Sequence, residues 1–453
     1  MQLKVTTAEL RLVFLKICVL LFRMKTFQLR FFALGALACL LFQPSTIWTT
    51  SAGEANWPGW RGPENNGSNP DGSYPTQWTA DKVLWKTDLP GKGCSTPVVW
   101  GKKIYLTVPV SGLDAVMAFD WSGKPQWQST LGKEIAGKHL NGSGSNPSPV
   151  TDGTALFVYF KSGTFAALEF DGSIRWRMNL IEQFGADDLY WDFGTSPVLT
   201  QNHVIMARMH GGDSWIAAFD KKTGKLSWRV PRNFEVPKEV DHSYNTPTII
   251  QHNGKEAVLV WGAAHLTAHD ATNGAVLWSC GDFNPTATAF WPAVSSPVVS
   301  GNTALVCFGR ADRGQPRLHG IKLGGSGDVT STHRTWKRED IGSFVPTPAI
   351  YKGRAYILGD RGQVSCIDPA TGEPIWTDAF PRARFNFYSS PTLADGKLYA
   401  AREDGTIFVA KIDGGFELLA ENHMGERIIA SPVPVSNHLL IRGETHLFCV
   451  IGK

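Results

Sequence analysis

A Ser/Thr-Pro pair followed by apolar residues recurs eight times along this chain of 453 residues. The copies are Thr96-Pro97, Ser148-Pro149, Ser196-Pro197, Thr246-Pro247, Ser296-Pro297, Thr347-Pro348, Ser390-Pro391 and Ser431-Pro432, spaced 41 to 52 residues apart. A period of that length marks one supersecondary unit used repeatedly. Periodicity therefore sets the domain organisation, although the length alone would allow two or three domains.

Each pair opens the same series of elements. A short strand (Pro97-Val98-Val99-Trp100) leads through the turn Gly101-Lys102 to a second strand, Ile104 to Val108. After a loop of variable length, a third strand ends near Asp, a tight turn follows, and a fourth strand ends in Trp. The clearest copies run from Asp220 through Gly224 to Trp228, from Asp270 through Gly274 to Trp278, and from Asp368 through Gly372 to Trp376. Weaker ones end at Trp127, Trp176 and Trp336. Asp can accept N–H bonds from the turn, Gly supplies a positive φ, and Trp offers a broad flat surface for the neighbouring unit. The 46 Gly, 27 Pro and 17 Trp match this pattern. Proline at a strand start costs no ladder bond.

An isolated four-stranded sheet cannot bury both faces, so such units stack radially and must close into a ring. After Ser431-Pro432 there is room for three strands, Val433 to Val435, Leu439 to Arg442 and Leu447 to Ile451, with no terminal Trp strand. Val83 to Leu89 carries Trp85 and has no unit of its own. It is predicted to supply the missing strand. The expected fold is an all-β, eight-bladed propeller whose last blade is closed by an N-terminal strand, with Trp85, Trp127, Trp176, Trp228, Trp278, Trp336 and Trp376 as docking residues.

The Asp-x-x-Thr-Gly-x-x-x-Trp copies resemble the tryptophan-docking repeat of pyrroloquinoline-quinone (PQQ) alcohol dehydrogenases. They equally resemble the propeller of the outer-membrane β-barrel assembly lipoprotein. The resemblance spans residues 78 to 453. The segment Trp57-Pro58-Gly59-Trp60-Arg61-Gly62-Pro63 to Gly67 looks like the lead-in of secreted PQQ-like proteins of planctomycete-type bacteria, and implies a strap with buried aromatics over residues 53–77. The dehydrogenases hold PQQ beneath an adjacent-Cys disulfide, with calcium and an Asp base. This chain has no Cys-Cys pair and no c-type haem motif.

Residues 1–52 read as an export signal. Met24-Lys25-Thr26 and Arg30 form a basic start, Phe31 to Phe42 a short apolar run, and Thr50-Ser51-Ala52 a cleavage site. Residues 1–23 read as an upstream start artefact. Cys39 lies in a poor lipoprotein box, so no lipid anchor is expected. Removing the segment takes six basic residues and one acidic residue, so the formal charge of +4 becomes about −1. No polycationic footprint for nucleic acid remains. The remaining Cys94, Cys280, Cys307, Cys366 and Cys449 form no disulfide framework, and Cys307 and Cys449 lie in apolar, strand-like runs.

In a propeller, the loops between second and third strands gather on one face with the loops leading into each blade, and function usually lives there. The first set carries Arg208, His210 and Asp213, then His265, then Arg310, Asp312 and Arg313. Asp360 and Arg361, Arg402 and Asp404, and Arg442 and Glu444 follow. A ring of guanidinium groups would suit an anion, whereas exposed Arg–Asp pairs would be worth little. The second set adds Asp192, Asp241, His242, Tyr244, Asn245, Phe290, Trp291, Phe385, Asn386 and Tyr388. These residue types could suit a planar or sugar-like ligand, whereas packing around the channel accounts for most of them. His265 and His269 lie on a strand-like run without the Glu of HExxH, so no metal role is assigned.

The functional expectation is an exported, monomeric, non-catalytic binding or scaffold propeller in the periplasm or at the cell surface. It would act on partner proteins or a small extracellular ligand, with no membrane span after signal removal. The alternative is an oxidoreductase using PQQ and calcium on an alcohol or sugar. A third reading is participation in outer-membrane protein assembly.

Overall fold

The computed structural model describes residues 56–79 and 83–452. The expected export signal lies outside them. The described residues form eight sheets of four antiparallel strands, two of which gain a short fifth strand. Blade 1 holds Val98–Trp100, Lys103–Val110, Leu113–Asp120 and Pro125–Lys133, from the inner to the outer edge. Blades 2 to 7 repeat this plan from inner strands opening at Val150, Val198, Thr248, Val298, Ala349 and Thr392. Helix among the described residues is confined to short turns such as Leu180–Phe184, capped by the Asn179 side chain.

Blade 8 joins the two ends of the described chain. Its strands Val433–Val435, His438–Arg442 and His446–Ile451 are completed by Val83–Asp88. That strand runs antiparallel to His446–Ile451, with Thr87 opposite Leu447 and Asp88 opposite His446. Eight apolar clusters then fill the eight interfaces between neighbouring blades. One of them packs Val433, Leu440 and Leu447 of blade 8 against Val99, Ile104 and Phe119 of blade 1. The core is therefore distributed around the ring, as stacked two-faced sheets require.

The docking tryptophans show how the turn motif works. Trp228 Nε1 donates to Ala271 O of the next blade at 3.1 Å. Gly274 of that turn lies so close beneath the indole that a Cβ would come within 2.6 Å of it, and its φ is +78°. Trp85, Trp127, Trp176 and Trp336 repeat the arrangement with Gly123, Gly172, Gly224 and Gly372. The turn itself is braced by Asp, as Asp220 Oδ1 accepts from Lys222 N at 3.1 Å and Thr223 N at 2.8 Å. Trp278 is fully buried, yet its Nε1 has no partner. The third strand of blade 5, Gln315–Lys322, runs into an excursion in place of the tight Asp-Gly turn.

A second seam runs around the channel. The hydroxyls of seven of the eight repeat Ser and Thr residues, all but Ser431, accept a backbone N–H from the equivalent residue of the preceding blade. Thr96 N donates to Ser148 Oγ, Ser148 N to Ser196 Oγ, Ser196 N to Thr246 Oγ1 and Thr246 N to Ser296 Oγ, all at 2.9–3.0 Å. Ser296 N donates to Thr347 Oγ1 and Thr347 N to Ser390 Oγ, each at 2.9 Å. This clasp, rather than a strand-start preference alone, explains the hydroxyl before those prolines.

The segment from Asn56 crosses the channel. Trp57 bridges Val99 of blade 1, and Pro58 O accepts from Thr151 N of blade 2. Asn66 O and Gly67 O then accept from Ile350 and Leu393 of blades 6 and 7, on the opposite side. Ser68–Asn69 runs parallel to the inner strand of blade 7. Arg61 is buried, with Nη1 on Pro391 O at 3.1 Å and Nη2 on Pro348 O at 2.9 Å. Burial lowers its pKa to about 9. Gly67 is required here, because a Cβ would meet the Arg61 guanidinium at 1.9 Å.

Candidate binding cup and its rim

Because the strap spans the channel, the ring encloses a cup. Trp60 lines both this cup and a smaller cavity beneath it, so it forms the base. The cup has a volume of about 440 Å³. Its wall includes the repeat hydroxyls of Thr96, Ser148, Ser196, Thr246, Ser390 and Ser431. The loops above them supply the charged and aromatic residues.

Of the residues singled out from sequence, Asp192, Tyr244, Arg310, Asp312, Arg313, Asp360, Asn386 and Tyr388 come together at the cup. Their charges are largely answered within the protein. Asp192 pairs with Lys161 Nζ at 2.6 Å and accepts from the backbone of Lys138 and His139. Arg310 holds Asp312 through two bonds of 2.8 and 2.6 Å and lies 4.4 Å over the Phe344 ring. Asp360 accepts from Phe344 N at 2.8 Å and Val345 N at 3.0 Å, and burial raises its pKa to about 6 against the pull of those bonds. Asn386 Nδ2 reaches the Tyr388 hydroxyl at 3.3 Å, while its Oδ1 is buried without a partner.

The other guanidinium groups turn to the protein itself. Arg208 is buried, bonded to Phe184 O and Gly185 O, and stacked 5.1 Å over Trp215. Arg402 grips Asp404 at 3.1 and 2.9 Å and also Pro381 O. Arg442 is buried against Ser95 O and its hydroxyl. Arg361 is exposed. Glu444 pairs with Lys92 at 3.4 Å and Arg427 at 3.7 Å, and Asp213 pairs with Arg229 at 2.5 Å. Asn245 is buried on Ser243 Oγ and Trp261 O. Trp291 packs beneath Arg317 and against Phe308. His265 stacks on Phe234 at 3.8 Å, and His269 bonds Thr267. Among the described residues no cluster of three or more His, Cys, Asp or Glu could hold a metal.

Two features of the rim went unread in the sequence. First, Arg427 Nη1 bonds both Asn141 Oδ1 and Glu403 Oε2 at 2.6 Å, so the loop leading into blade 2 is tied to blades 7 and 8. Second, the loop leading into blade 3 carries exposed Tyr190 and Trp191 on a pinned base. Asp188 Oδ1 accepts from Gly211 N at 2.8 Å and meets His210 Nδ1 at 3.1 Å and His242 Nε2 at 3.7 Å. Trp191 N donates to the Tyr244 hydroxyl at 3.0 Å. The partner of His242 therefore lies 54 residues away, outside any local motif. Its neighbour Asp241 lies 3.9 Å from the same imidazole.

The five described cysteines are free. Burial pushes the thiols of Cys307 and Cys449 up to about 12.

The sequence profile of the family described as outer membrane protein assembly factor BamB matches residues 112–377 and 326–417. A relative from Yersinia pestis, "Outer membrane protein assembly factor BamB", is 23% identical over 395 residues, 81% of this chain and 88% of its own. BamB from Moraxella catarrhalis superimposes with a TM-score of 0.57 at 14% identity, over 82% of this chain and 97% of that one. Quinohemoprotein alcohol dehydrogenase from Comamonas testosteroni gives a TM-score of 0.64 at 13% identity, over 88% and 81%. At these identities the structural likeness concerns the fold alone. The profile match, by contrast, covers more than half of the residues: the chain belongs to the family of the outer membrane protein assembly factor BamB.

Proposed function

We propose that this protein is an exported, non-catalytic scaffold that docks a protein partner at the rim of its cup, in outer-membrane protein assembly. Tyr190 and Trp191 carry this reading. They are 59% and 38% exposed, yet their loop is pinned by Asp188, Asp192 and the Tyr244 hydroxyl. Exposed aromatics on a preorganised loop are the kind of residue that dominates binding energy, because little ordering entropy is lost on association. The neighbouring His139 packs edge-on against Trp191 at 4.8 Å, and Leu140 beside it is 61% exposed, extending the apolar patch. No described helix is long and apolar enough to cross a membrane. The family's name supports placing the partner among outer-membrane assembly components.

The quinoprotein reading fits the cup's donor set poorly. Cys94 is the one cysteine lining it. Asp192 and Asp312 are paired to Lys161 and Arg310, and Asp360 is engaged by two backbone N–H groups. These carboxylates do not converge as calcium ligands beneath a planar quinone.

The test is a photo-crosslinking residue at position 190 of the full chain in its host cell, with Ile375 on the outer strand of blade 6 as the control position. A specific protein adduct from position 190 alone supports docking. No adduct, or equal adducts from both positions, contradicts it.

A further inference from the structure

The cup combines an indole base with a wall of hydroxyls, and that combination selects a ligand class. Each repeat hydroxyl in the clasp spends one lone pair on a backbone N–H. A hydroxyl has one proton and two lone pairs, so the proton remains to be donated. The wall therefore offers a circle of O–H donors around Trp60. Acceptors stand above it: the Asp360 carboxylate, which has no cationic partner among the described residues, and the unpartnered Asn386 Oδ1.

The charges argue against an anionic guest. Arg310 is committed to Asp312, and Lys161 to Asp192. Arg313 sits at the rim, 66% exposed and 4.0 Å from Asp312. An apolar guest would leave the hydroxyls and Asn386 desolvated and unpaired, which is costly. A pyranose meets both demands: one C–H face for the indole, and a girdle of hydroxyls that each donate and accept. A volume of about 440 Å³ lies within the range of small-molecule sites, about 300–1,000 Å³.

We propose that the cup binds a neutral saccharide end, with one pyranose ring stacked on Trp60 and its hydroxyls shared between the Ser/Thr circle, Asp360 and Asn386. This site adjoins the docking rim, since Trp191 and His139 also line the cup, but saccharide binding there does not depend on the docking reading.

The experiment is isothermal titration of the folded full chain with glucose, maltose and N-acetylglucosamine, beside glucuronic acid and choline. At least one neutral saccharide is expected to bind, and Trp60→Ala and Asn386→Ala each weaken that binding by about ten-fold or more, or about 1.4 kcal/mol. Asn386→Ala keeps the test valid if loss of Trp60 disturbs the strap, provided its melting temperature is that of the wild type. Tyr190→Ala is expected to leave saccharide binding unchanged. Absence of binding by all three sugars at millimolar concentration overturns the proposal. So does equal or tighter binding of glucuronic acid or choline, or binding that survives both substitutions.

Discussion

The backbone N–H of Ser431, in the last repeat, donates to the Thr96 hydroxyl of the first at 3.3 Å, across 335 residues of chain. With the six contacts around the rest of the channel, it makes the Ser/Thr-Pro repeat an inter-blade clasp. The strand Val83–Asp88 closes the same ring at the outer edge. Closure is thus made twice, once by a hydroxyl and once by a β-ladder.

The clasp is expected to contribute to stability at every blade. Ser148→Ala removes the acceptor of a buried N–H and should cost about 1–3 kcal/mol. Ser122→Ala, in an exposed turn, should cost no more than about 0.5 kcal/mol. Chemical denaturation of the two variants beside the wild type checks this.

Docking tryptophans should differ according to what their indole nitrogen does. Trp228→Phe strands Ala271 O and loses contact with Gly274, whereas Trp278 already lacks an Nε1 partner. Trp228→Phe is therefore expected to be the more destabilising of the two by about 1 kcal/mol. Gly274→Ala should also destabilise, since it adds a Cβ at a φ of +78° against the indole. Thermal unfolding midpoints give the order.

Much of the fold was legible because each device repeats. The Asp turn, its Gly and the Trp recur at fixed offsets, and a lone Trp85 strand beside a three-strand end fixed the closure. The candidate site was only partly legible. Asp192, Arg310, Asp312, Asp360 and Asn386 lie on loops the blade period locates, and they do line the cup. Their pairing did not show, because Asp192 meets Lys161 and Asn141 meets Arg427 through contacts 31 and 286 residues apart. Arg208 and Arg442 follow strands as Arg310 does, yet burial turns them onto carbonyls. Trp60 was seen as a strap residue, and its place beneath the cup needed the strap's path.

Two buried carboxyls should make stability fall with rising pH. Burial raises Asp114 and Asp360 to about 6, above the ordinary carboxylate value, although hydroxyl bonds at Asp114 and backbone bonds at Asp360 oppose it. Their protonated forms are favoured by the fold, so this contribution is complete below about pH 4 and is lost as pH rises through 6. Asp114→Asn should flatten the decline between pH 4 and 7, by at most ~3 kcal/mol. Denaturation midpoints across that range measure the difference from wild type.

The Asp188 clamp should govern loop order more than global stability. Asp188→Ala frees the loop from His210, His242 and Gly211. Hydrogen–deuterium exchange over residues 187–192 is expected to quicken, while the melting temperature changes little because the Asp188 side chain is 58% exposed.

The docking account is tested most directly in the native host, by measuring the amount of outer-membrane β-barrel proteins after the gene is deleted. Their amount is expected to fall, the wild-type chain to restore it, and a folded Tyr190→Ala/Trp191→Ala variant to fail to do so. Unchanged barrel levels on deletion, or full rescue by that variant, would contradict it.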